Sequence, residues 1–275
     1  MRINLPRAPL LYVVTLIEFS PIATMRNQYI GKIQDALRMD GYPSFEEKMN
    51  YQYIFTPEGP QEHTKNYQWF FGNEPRNACI ALSDSTFSLS VCEYDTFDAF
   101  CKQMKEAIDI VAPILHLDKV LVKRIGHRYI DLIREIDEIP ATKLIKQEYL
   151  GGFLTDESTH ENIRLCQLIS EIKTIEDACL RTMIYSQPGM EGIPFPQEMG
   201  NLKPSEEKFN LKKEDNAIIL DSDHYKMYTR EQYFTWENFY NDLQALHGFI
   251  SENFKKITTD EARNNLWGKE QRKTP

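Results

Sequence analysis

Arg124, His127, Arg128 and Tyr129 fall within six residues around Gly126, inside the otherwise apolar stretch 119–133. Two arginines can grip a carboxylate or phosphate through their planar forks, and an imidazole and a phenol beside them can pass or share a proton. The β-branched content of the stretch predicts a long central strand, and Gly126 permits a bulge that would re-aim Arg124 and Arg128. Arg124, Gly126, His127, Arg128 and Tyr129 are therefore the candidate binding residues, with an anionic group as their object. The simpler reading is structural: Arg128 pairs with a semi-buried acid such as Glu18, an acid in an otherwise apolar first strand, because buried charges are usually paired.

Other chemistry finds little support. Asp221-Ser222-Asp223-His224 offers metal-ligand types. Its Ser/Asp composition nonetheless reads as the tip of a hairpin, and no complementary His or Cys cluster lies near it in sequence, so no metal is expected. His116 and His160 are isolated, and His247 lies on the apolar stripe of the last predicted helix, where a hydrogen-bonded core histidine is the simpler reading. No nucleophile elbow, zinc-protease motif, phosphate loop or dinucleotide fingerprint occurs. Catalytic residues and cofactors are not expected, although an unfamiliar active site stays open.

Composition narrows the partners. The 275 residues carry a formal net charge of −9, which disfavours broad phosphate-driven binding to nucleic acid while leaving a local basic groove open. Five cysteines form an odd set without a Cys-x-x-Cys pair, as for reduced core thiols in a cytoplasm. The apolar run 10–17 is too short to span a bilayer and no small-residue cleavage site follows it, so neither a membrane span nor a secretory signal is expected.

The elements that would position these residues follow from periodicity. Residues 10–19 read as a buried strand, and Ser20-Pro21 as the cap and first-turn proline of a helix with Met25, Tyr29, Ile33 and Leu37 on one stripe. Strands at 51–55, 67–71, 78–82 and 87–92 form a predicted antiparallel meander, and Thr96 caps a helix that covers the sheet. After the central strand come a short helix near 142–149, strands at 163–172 and 178–185, and a long excursion over 187–215. Strands at 217–220 and 225–228 follow, then a helix opened by Thr235 and a polar tail over 269–275.

An offset of 139 superposes the two long helices, Thr96 on Thr235 and Phe97 on Trp236, and an offset of 138 superposes Leu82 on Leu220 and Phe87 on Tyr225. The predicted fold is thus α+β: two strand-helix-four-strand-helix halves, 1–117 and 118–268, with curved antiparallel sheets packed on long helices in a TATA-binding-protein-like or helix-grip manner.

The opening Leu-Ile-Glu-Phe-Ser-Pro-Ile, the centre Arg-Ile-Gly-His-Arg-Tyr-Ile-Asp and the ending Leu-His-Gly-Phe-Ile-Ser-Glu-Asn-Phe together resemble a sporadically distributed prokaryotic family of unknown function. That family tends to carry leucine and asparagine where this chain has His127 and Asp131, so roles resting on either would not transfer. Its scattered distribution implies mobile elements, toxin–antitoxin pairs or defence loci. The expectation is a non-catalytic cytoplasmic binding protein, a regulatory or neutralising partner of a protein encoded beside it. A small-molecule or nucleotide sensor is the first alternative, and nucleic-acid binding through a curved sheet the second.

Overall fold

The computed structural model describes residues 5, 7–56, 59–151, 165–186, 202–203 and 217–268, with no side-chain detail over 50–65. The expected 187–215 excursion thus lies outside the described residues except at Leu202 and Lys203, and the 269–275 tail lies wholly outside them.

One large, curved antiparallel sheet of nine strands carries the fold, in the order β2-β3-β4-β5-β1-β6-β9-β8-β7. The first five strands are β1 (Leu10–Phe19), β2 (Ser44–Thr56), β3 (Gly59–Gly72), β4 (Ala78–Leu82) and β5 (Thr86–Val91). The rest are β6 (Leu121–Ile133), β7 (Cys166–Lys173), β8 (Ala178–Ser186) and β9 (Ile218–Tyr233). The predicted central strand is indeed central, since β6 lies between β1 and β9 and pairs antiparallel with both. Both neighbours shield its backbone, so a sequence as apolar as 119–133 is what this position requires.

The α-helices among the described residues are α1 (Ile30–Met39), α2 (Phe97–Leu115), the short α3 (Ala141–Leu144) and α4 (Trp236–Ile257). Ile33, Leu37, Met104, Val111, Leu243 and Leu246, all fully buried, pack α1, α2 and α4 onto one face of the sheet. Both predicted caps form: Thr96 Oγ1 accepts from Ala99 N at 3.1 Å, and Thr235 Oγ1 from Asn238 N at 3.2 Å. No helix among the described residues is long and apolar enough to cross a membrane.

Four local expectations are corrected. The first helix is not capped by Ser20: a π-type turn over Met25–Tyr29 leads into α1, and Ser20 Oγ accepts instead from Leu121 N at 3.2 Å, tying β1 to the start of β6. Gly126 is not a bulge. It pairs cleanly with Leu16 and Tyr225, and the irregularity falls between Val122 and Arg124, where the ladder needs an extra residue. Residues 221–224 are not a hairpin tip but the middle of β9, with Asp221 opposite Ile130 and His224 opposite His127. Consequently the 138-residue offset does not superpose two hairpins, and the second half contributes four strands to the sheet where the first contributes five.

Candidate functional site

Alternation along β6 sends its candidate residues to opposite faces of the sheet. Arg124, Gly126 and Arg128 face away from the helices; His127 and Tyr129 face them. The structure thus brings the two arginines together and separates them from the histidine and the tyrosine.

On the face opposite α1, α2 and α4, helix-free among the described residues, Arg128 Nε donates to Asp221 Oδ1 at 2.8 Å and its Nη2 to Asp221 Oδ2 at 2.7 Å. This is the planar two-pronged geometry that only arginine supplies. Burial alone would lower the affinity of Arg128 for its proton, but the bond and charge of Asp221 more than offset this and hold it cationic. Asp221, not Glu18, is therefore the partner of Arg128; Glu18 pairs in register with Arg124 instead.

One pleat along, Arg124 lies over the Tyr225 ring at 4.7 Å and stands 3.8 Å from Asp223. The guanidinium of Arg124 lies across Gly126, where an added Cβ would meet it at 3.6 Å, an ordinary contact, so this arrangement does not require glycine. Arg181 on β8 stands opposite Asp223, with Glu171 of β7 3.8 Å away. Burial raises Asp223 above the ordinary carboxylate range despite Arg124 and Arg128 beside it. The result is a ladder of alternating charge across β6, β9, β8 and β7, exposed at Met227 and Arg181. Toward the other end of this face Leu202 joins the cluster of Tyr12, Val14, Ile130 and Ile219, and Lys203 N donates to Arg76 O at 2.7 Å.

On the helix side, Tyr129 Oη lies 2.8 Å from Tyr94 Oη and 3.0 Å from His247 Nδ1, and His247 stacks on Phe97 with ring centroids 4.0 Å apart. His127 is fully buried, bonded through Nδ1 to Thr15 Oγ1 at 2.7 Å, while its Nε2 has no hydrogen-bond partner among the described residues. Burial, then the neighbouring His247 and His224, keep His127 neutral far below the usual histidine range. His224 is held neutral by burial too, between Thr174 Oγ1 at 2.7 Å and the Leu246 carbonyl at 3.0 Å. A hydrogen-bonded core histidine was the expectation for His247, and its bond to Tyr129 has that form.

Sequence reasoning missed Asp221, Asp223 and Tyr225, the residues that complete the helix-free face, because a Ser/Asp cluster looks like a turn. Their signal was period two: Asp-x-Asp-x-Tyr matches Arg-x-Gly-x-Arg on the strand beside it. It also missed Asp131, 6 % exposed and without a cation beside it among the described residues, whose carboxyl burial and then Asp221 push up to about 8. No group of three or more His, Cys, Asp or Glu side chains among the described residues is placed to hold a metal ion. No protein-family model matches this chain, and no curated protein is similar to it.

Proposed function

We propose that this is a non-catalytic binding protein whose partner is another protein, docked on the helix-free face of β6, β9 and β8. The observation that supports this most is the position of Arg124: stacked on Tyr225, loosely held by Asp223, and partly open to solvent on a sheet face over which no described residue forms a helix. Arginine and tyrosine supply most hot-spot energy at protein interfaces, and methionine, here the exposed Met227, is enriched there. The alternating charges suit selection of one partner over others. A chain of net charge −9 favours a basic partner. The partner is the product of a neighbouring gene, which this protein regulates or neutralises in a toxin–antitoxin or defence-type locus. Co-expression with each flanking gene product, followed by affinity purification, tests this: a stoichiometric complex supports it, and a protein that stays free with every neighbour sinks it.

The second reading is a small-molecule or nucleotide sensor. It draws on a groove of about 440 Å³ between the end of α1 and α2, lined by Tyr42, Asn73, Lys102, Gln103 and Glu106. That volume suits a metabolite-sized ligand. A thermal-shift screen of nucleotides and small acids separates it from the first reading. Nucleic-acid binding draws least support, since Arg124, Arg128 and Arg181 each stand beside an acid.

Two broader expectations belong here as well. Save for one strand fewer in the second half, the strand order reads alike from both ends toward the β1–β6 pair, each capped helix follows its half's last strand, and this supports descent from a duplicated helix-grip unit. Five free cysteines, three of them buried, support a reducing compartment such as the cytoplasm.

A further inference from the structure

We infer that β7 is a pairing edge for a second copy of this chain, which joins two nine-stranded sheets into one across a two-fold axis. Among the described residues β7 pairs with β8 alone, so its outer row of N–H and C=O groups is free to pair. Natural sheets blunt such an edge with proline, bulges or charge. The opposite edge shows two of these devices, since β2 carries Glu46, Glu47 and Lys48 in succession and has a register shift at Gln52/Tyr53. Edge β7 carries the separated charges Glu171 and Lys173 but no proline, and its register with β8 is unbroken from Cys166 to Lys173. Leu165, Leu168, Ile169 and Ile172, on and just before it, are 57, 40, 48 and 49 % exposed. An edge this regular and apolar is a template for another strand.

The strand's own sequence selects the occupant. A two-fold axis perpendicular to the sheet keeps each face on its own side, so opposed residues must share parity. With the axis at Ser170, Leu168 of each copy meets Ile172 of the other on one face, while on the other face Gln167 meets Lys173 and Ile169 meets Glu171. Centring on Glu171 instead opposes like charges, and centring on Ile169 sets Ile169 on itself and Ile172 on Cys166 but opposes Leu168 to Ser170 and Leu165 to Lys173. The Ser170 register is thus the one that sets the large aliphatic side chains Leu168 and Ile172 against each other twice on one face. A contact through one strand lies at the low end of interface sizes, so the dimer is concentration-dependent. The pairing does not depend on the partner proposed above, but it would set two copies of the Arg124 face on one continuous sheet.

Sedimentation of the full chain over a concentration series tests the inference. Wild type should move reversibly toward twice the monomer mass as concentration rises, and Ile172→Lys, a change at an exposed side chain, should remain monomeric with unchanged Tm. Ser170→Cys should cross-link into a dimer under mild oxidation well beyond any wild-type background, since directly opposed residues bring their Cα atoms within disulfide reach. Wild type that stays monomeric at high concentration, a dimer unaffected by Ile172→Lys, or Ser170→Cys that fails to cross-link beyond wild type would each overturn it.

Discussion

Arg128 and Asp221, 93 residues apart in sequence, close a two-pronged ion pair on the helix-free face of the sheet, with Asp221 almost fully buried and Arg128 largely so. The two do not lie directly opposite one another: Arg128 stands across from Asp223 and Asp221 from Ile130, so the arginine reaches diagonally. This geometry makes the pair a structural joint between β6 and β9.

Removing one member should therefore unfold the joint. Arg128→Ala leaves the Asp221 carboxylate buried and unpaired and should cost about 3–5 kcal/mol, read by chemical denaturation. Arg128→Lys keeps the charge without the fork and should fall between Ala and wild type. Equal stability of all three proteins would mean that water, not arginine, satisfies Asp221.

Asp131 sets stability on the alkaline side. Its carboxyl keeps its proton in the fold up to about pH 8. In the unfolded chain it ionises near pH ~4. Between those values the folded protein holds the extra proton, so this residue costs stability progressively as pH rises from about 4 to about 8. Asp131→Asn, which mimics the protonated acid, should raise Tm by several degrees at pH 8 and change it little at pH 4. A Tm that is unchanged at pH 8 would show that the carboxylate is accommodated after all.

The buried histidines act on the acid side with the opposite sign. His127 and His224 are neutral in the fold, with proton affinities lowered by burial. An unfolded histidine takes up its proton near pH ~6.5, so their contribution is intact above that pH and is lost as pH falls through it toward the lower folded values. Unfolding at pH 5.5 should take up fewer protons in the double variant Thr15→Val/His127→Leu, which removes both members of a buried hydrogen bond and leaves neither stranded. An unchanged pH slope in that variant would remove His127 from the account.

The capped helices offer a local check. Thr96→Ala and Thr235→Ala each delete one side-chain acceptor at a helix start and should each cost about 1 kcal/mol, additively, because the caps belong to separate helices. A much larger loss at either site would mean that the threonine holds more than its own helix.

Much of this architecture is legible in the sequence where a periodic stripe meets a local signal. Thr96 and Thr235 mark real caps because the apolar stripe behind each gives its helix a face to bury, and 119–133 reads as central because β-branched and other apolar residues run between its charges. Partners are less legible. Glu18 was the nearest apparent acid for Arg128, but register places Glu18 beside Arg124, and the acid that bonds Arg128 comes from a strand whose Ser-Asp centre imitates a turn. Local composition ranks turns correctly on average; it cannot weigh an arginine 93 residues upstream that makes an aspartate welcome in mid-strand.

The central claim is that neighbouring arginines on one face divide their work, Arg128 holding the sheet and Arg124 meeting a partner. Side-by-side measurement of Tm and of co-purification with the flanking gene products, for Arg124→Ala and Arg128→Lys, tests it most directly. Arg124→Ala should keep its Tm within about two degrees, as expected for a loosely held, partly exposed charge, and lose the partner; Arg128→Lys should lose Tm and retain binding in its folded fraction. An Arg124→Ala protein that unfolds, or that captures the partner as well as wild type does, would contradict the claim.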